Sequence, residues 1–137
     1  MQLFARLHQL SDVALLLLRI GIGTVFLVHG TAKRRLWKMQ PSAQMPLGFL
    51  RTLRLLSIAE PAGGLAVLVG FLTQPAALGL ALVMLGALRF LITKAHRKFT
   101  TETGAGWEFE LMLLLGALVL LAMGGGRFAL DRVLFGI

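Results

Sequence analysis

The chain contains no cysteine. That excludes disulfide exchange, thiolate ligation of iron–sulfur clusters and cysteine nucleophiles. Any redox role must therefore use a partner's cofactor or a bound organic molecule such as a quinone. Charge is scarce too: 15% of the 137 residues are charged, and only 6 are acidic against 14 Lys and Arg. The histidines are few and scattered. His8, His29 and His96 form no HxxxH or ExxH pair, so no metal site is expected, and a bis-histidine haem has no second buried ligand. No Ser/His/Asp arrangement is present. "GIG" at 21–23 has no GxGxxG continuation and lies inside an apolar run, which argues against a nucleotide loop.

What the chain has in abundance is apolar surface. The hydrophobic fraction is 57% and the mean hydropathy is +0.82. A soluble domain of this length cannot bury so much of it. Apolar runs of roughly 20 residues alternate with short basic stretches, the pattern of a multi-pass membrane protein. The expected architecture is all-α, a membrane-embedded four-helix transmembrane bundle forming one domain over 1–137. Its spans lie at about 13–31, 53–72, 76–92 and 107–123. Ser11 and Asp12 suit the N-cap of the first span, Pro75 suits the first turn of the third, and "GGG" at 124–126 stops the fourth. The tail "RFALDRVLFGI" is amphipathic enough to lie along the interface.

The formal net charge of +8 would suggest nucleic acid in a soluble domain. Here the Lys and Arg gather between spans, where they set orientation and meet anionic headgroups, so no nucleic-acid partner is expected. The positive-inside rule puts loops 32–52 and 93–106 in the cytoplasm and both termini outside. Trp37 and Trp107 fall on that same face, as interfacial aromatics do. No convincing cleavage site follows the N-terminal "MQLFARLHQLSD", which argues against a cleaved signal peptide.

Charges inside spans are expensive, about 2.5–3.5 kcal/mol each, and usually pair within the bundle. The candidates for a ligand site or polar network are Arg19, His29, Lys33, Glu60, Arg89, Glu108 and Glu110. By depth, His29, Arg89, Glu108 and Glu110 lie about one turn from the basic face, Glu60 about two turns in, and Arg19 near the middle. Glu60 is the expected partner of Arg19, at an axial offset of roughly 7–8 Å. Arg19, Gly23, Phe26 and Gly30 share one helical stripe, which should face another helix. Plainer roles compete for each charge: a register-fixing ion pair for Arg19 and Glu60, snorkelling for Arg89, a solvated or capping position for Glu108 and Glu110. Gly63, Gly64, Gly79, Gly86 and Gly116 are expected to let helix backbones approach closely.

Three segments in order, "LLRIGIGTVFLVHGTAK", "AEPAGGLAVLVGFLTQPAALGLALVMLGA" and "GWEFELMLLL" with "GGGRFALD", closely resemble the DoxX family over nearly the whole chain. On that resemblance Arg19, His29, Lys33, Glu60, Gly63, Gly64, Glu108, Arg127 and Asp131 occupy motif positions. One departure is "GGGR", where a proline often stands between the glycines; it touches only a helix end. The resemblance implies a small four-helix protein of the bacterial inner membrane, linked to quinol oxidation and thiosulfate-to-quinone electron transfer. The function expected is that of an accessory subunit in membrane-associated redox or quinone-linked processes. It would have no intrinsic cofactor, a quinone or lipid as candidate ligand, and membrane redox enzymes or a second copy as candidate partners. A structural or assembly factor is the alternative, and a small proton-coupled transporter ranks third. The residues leave open whether the protein is an enzyme.

Overall fold

The computed structural model describes residues 10–102 and 104–136; Arg6 and His8 lie outside the described residues. Four long helices form the body: α1 (Ser11–Ala32), α2 (Leu47–Val69), α3 (Thr73–Thr93) and α4 (Glu108–Met123), followed by the short α5 (Leu130–Phe135). A 3-10 turn over Lys33–Lys38 extends α1 toward the first loop. The helices pack chiefly as the pairs α1–α2 and α3–α4, with α2–α3 and α1–α4 contacts closing the bundle. Its core runs from Leu15, Ile22 and Phe26 through Val67, Leu80, Met84 and Leu88 to Leu113, Ala117 and Leu120.

The outside is as apolar as the inside. Leu17 (63% exposed), Leu55 (66%), Leu82 (59%) and Met112 (58%) point away from the core on four different helices. A water-soluble bundle would not carry such a belt, so the architecture is a membrane-embedded all-α bundle. Residues Ser11–Lys38, Leu47–Val69 and Thr73–Thr93 are long and apolar enough to cross a membrane. α4 has 16 residues, about 24 Å at 1.5 Å per residue. It matches the expected fourth span of about 107–123 to within one residue, with Gly124 ending it at φ 73°, and it is a turn or so shorter than the roughly 20 residues that cross a full hydrocarbon core.

Two helix starts differ from expectation. α1 is preceded by Leu10 with no side-chain cap; Asp12 instead accepts the Arg127 N–H at 2.9 Å, tying α1 to the segment after α4. α2 begins at Leu47, behind Pro46, and not near residue 53. Arg51 and Arg54 read as loop by charge, yet Arg54 sits on the helix and donates back to Leu36 O and Met39 O, at 3.1 and 2.8 Å. The early turns of α2 thus run beneath the 3-10 turn, which Trp37 also fastens by donating to Ser57 Oγ at 2.8 Å.

The glycines divide by face. A Cβ on Gly64 would lie 2.9 Å from Gly23 O, so α1 and α2 cross backbone to backbone there. Gly30 fits against the Pro61 ring, Gly63 against Leu80 and Gly116 against Ile22. Gly79 and Gly86 have open space where a Cβ would stand, so the expected packing role does not apply to them. The reason is rotational: α3 turns Ala77, Leu80, Ala81, Met84 and Leu88 inward, leaving both glycines on the exposed side.

Candidate functional site

Two polar clusters form at opposite ends of the α1–α2 pair. At the end distant from the basic loops, Arg19 is 1% exposed. Its guanidinium donates to Val67 O, Leu68 O and Gly125 O, each at 3.0 Å. Val67 and Leu68 belong to the last turn of α2, whose carbonyls carry the negative end of the helix dipole and are short of intrahelical donors; Val67 O also takes the Gly70 N–H at 3.1 Å. Arg19 therefore caps α2 from a neighbouring helix. Gly70, at φ 74°, makes the turn tight enough for this; a Cβ there would sit 2.5 Å from Arg19 Nη2.

Asp131 supplies the opposite charge to the opposite helix end. Its carboxylate accepts the Leu72 N–H at 2.6 Å and the Thr73 N–H at 2.8 Å, where α3 starts. Its own N–H donates to Gly70 O at 2.8 Å. Leu72, at φ 48°, offers α3 no side-chain cap, so a residue from α5 provides it. Burial pushes the Asp131 carboxyl pKa up, but the donors of Thr73 and Leu72 and the nearby Arg19 outweigh burial and hold it below its ordinary value. Cation and anion are each held by backbone groups at the α2–α3 turn, with Gly125 O as the third acceptor of Arg19.

The expected Arg19–Glu60 pair is not formed. The register of the α1–α2 crossing, Gly23 against Gly64 and Gly30 against Pro61, sets Glu60 level with the Gly30–Pro61 contact, roughly 16 Å along the axis from Arg19 at 1.5 Å per residue. Glu60, 2% exposed, instead takes the Lys33 ammonium with both oxygens, at 2.5 and 2.6 Å.

This second cluster borders a partly open cavity of about 480 Å³ lined by all four long helices. His29, Lys33, Glu60 and Glu110 contribute its charged and titratable groups. His29 stacks on Phe109 with ring centroids 5.3 Å apart, and Phe49 stacks on Phe90 at 5.2 Å, so aromatic faces make much of the remaining wall. One Glu110 oxygen is buried with no hydrogen-bond partner among the described residues, as is one Glu108 oxygen. The structure brings His29, Lys33, Glu60 and Glu110 together. It leaves Arg19 at the far cluster, Arg89 exposed on α3, and Glu108 at the start of α4, its N–H on Phe99 O at 3.2 Å. Gly86 borders the cavity.

The geometry also uses residues that the search for charged groups inside spans passed over. Asp131, Arg54, Trp37 and Ser57 position the two clusters. Asp131 lies in the tail, beyond any span, although it is one of the motif positions. The one signal for its role is the "GFLTQP" turn, where no Asp, Asn or Ser precedes α3.

The family model for DoxX matches residues 14–97, more than half of the chain. The chain belongs to the DoxX family. The match covers α1, the 3-10 turn, α2 and α3, which include Arg19, His29, Lys33 and Glu60. The partners on α4 and α5, Glu110 and Asp131, lie beyond it. No curated protein and no solved structure matches this DoxX chain.

Proposed function

We propose that this DoxX protein is an accessory subunit of a membrane redox system, and that its cavity holds the polar head of a quinone or lipid. The observation that carries the reading is a buried carboxylate paired with a partly exposed ammonium in the wall of an otherwise apolar, aromatic cavity. Pockets of about 300–1,000 Å³ with a few convergent polar groups are the usual form of small-molecule sites. A quinone offers carbonyl oxygens that accept hydrogen bonds. Lys33 has one N–H beyond the two given to Glu60, and His29 adds a ring N–H, while the aromatic wall suits the flat ring and an isoprenoid tail. Glu60 keeps the ammonium aimed. The positive-inside bias supports a bacterial inner membrane location with both basic loops cytoplasmic and the termini outside.

The test begins with protein extracted in native lipid and analysed by mass spectrometry. A co-purifying quinone, a rise in melting temperature on adding quinone, and loss of both in Glu60→Gln are expected. Bulk phospholipid alone, with no thermal shift from quinone, would remove the quinone reading. Retained function in a folded Glu60→Gln variant that binds no quinone would favour the structural or assembly reading.

A further inference from the structure

A second concavity lies on the outer surface of the same wall. It measures about 550 Å³, with Val28, Leu36 and Met39 as apolar lining and His29, Lys33 and Arg35 as its polar groups. Val28 is 59% exposed and Met39 41%, so the floor faces the bilayer and is not part of the core. Trp37, 52% exposed, stands on the same 3-10 turn, and a tryptophan so placed marks headgroup depth. The cleft is held in shape by ties to α2 already described, through Arg54, Trp37 and Glu60. Arg35 takes no part in them: it is exposed and makes no side-chain hydrogen bond or ion pair among the described residues.

We propose that this cleft is a binding site for one anionic phospholipid, with Arg35 as the residue that selects its charge. The argument is complementarity in two directions. Along the membrane normal, an apolar strip on the bilayer side continues into cations at headgroup depth, which matches an acyl chain joined to a phosphate. Across the surface, Glu60 already neutralises Lys33, so the unspent positive charge is that of Arg35. A guanidinium also grips phosphate oxygens in pairs, which an ammonium cannot do. A zwitterionic lipid would bring its own cation into the same place. His29 and Lys33 border both hollows, but Arg35 lines only the cleft, so its substitution reads the cleft apart from the quinone reading.

Native mass spectrometry of the full chain with phosphatidylglycerol and phosphatidylcholine in competition tests this. One phosphatidylglycerol should be retained preferentially by the wild type. Arg35→Gln should lower the preference about five-fold, the effect of one basic residue near a charged surface. Arg34→Gln, an exposed neighbour that does not line the cleft, should change it little. Equal losses in the two variants would show a diffuse basic field and overturn the site, as would equal binding of both lipids by the wild type. Millimolar inorganic phosphate should fail to displace the lipid; displacement would mean that free phosphate is the ligand. Circular dichroism and melting temperature of Arg35→Gln should match the wild type, so that lost preference reads as lost binding.

Discussion

At one end of the α1–α2 pair a buried guanidinium meets three backbone carbonyls; toward the other, a buried carboxylate meets a lysine at the wall of a cavity. Both clusters put a full charge where lipid or core would otherwise be, and both charges are almost wholly covered. The difference lies in what they are paired with. Arg19 serves helix ends, which need donors wherever they are buried, and Asp131 does the converse at the next helix. There the charges are taken up by backbone groups. Glu60 pairs with a single flexible side chain next to unfilled space, and Lys33 remains 29% exposed. One cluster is a fastening and the other has capacity to spare.

The sharpest way to break that distinction is to remove Arg19. Arg19→Leu leaves the Leu68 and Gly125 carbonyls without their donor, Val67 O with the Gly70 N–H alone, and Asp131 without its nearby cation. A loss of about 3–5 kcal/mol, or failure to accumulate, is expected. Thermal unfolding in detergent measures it, and an unchanged melting temperature would mean that the fastening role is wrong. Gly30→Ala comes next, since the added methyl meets the Pro61 ring, which cannot swing aside; about 1–3 kcal/mol should be lost. Gly79→Ala and Gly86→Ala should instead be neutral or stabilising by up to about 1 kcal/mol, because both sites are open and helical.

Double-mutant cycles sharpen the separation of the two clusters. Lys33 and Glu60 should show a coupling of about 0.5–3 kcal/mol, whereas Arg19 and Glu60 should add to within about 0.5 kcal/mol. Strong coupling in the second cycle would mean that the clusters form one network after all. The smallest effect concerns pH. Above about pH 4 the Asp131 carboxylate is ionised in both the folded and unfolded chain, and its stabilisation is fully present. As pH falls below that and through its lower folded value, the contribution is lost. Wild type should therefore lose melting temperature at acid pH through a step that is missing in Asp131→Asn, which starts from a lower value at neutral pH.

Much of this was legible in the amino-acid order. Hydropathy alone places the helices, because each needs a long apolar run, and the Arg19–Gly23–Phe26–Gly30 stripe is buried as its spacing predicts. The ends were less legible. Charge in Arg51 and Arg54 masks the first turns of α2, and the register of the α1–α2 crossing, which puts Glu60 in reach of Lys33 and not of Arg19, is set by close glycine contacts that depth counting does not use. Glycine roles on α3 were unreadable for a different reason: small residues and leucines occur on all its faces, so composition does not tell which side meets a neighbour. A cap delivered by Asp131 across 59 positions leaves no local trace at Leu72.

That remote cap has a consequence in time. A ribosome adding about 5–20 residues per second makes Asp131 roughly 6–20 s after Arg19. Until then the α2–α3 hairpin has neither Gly125 O to complete the arginine's set of acceptors nor a carboxylate to hold the Leu72 and Thr73 N–H groups. The nascent chain therefore enters the bilayer with the buried arginine of α1 only partly satisfied, and the segment that follows α4 completes its set of acceptors.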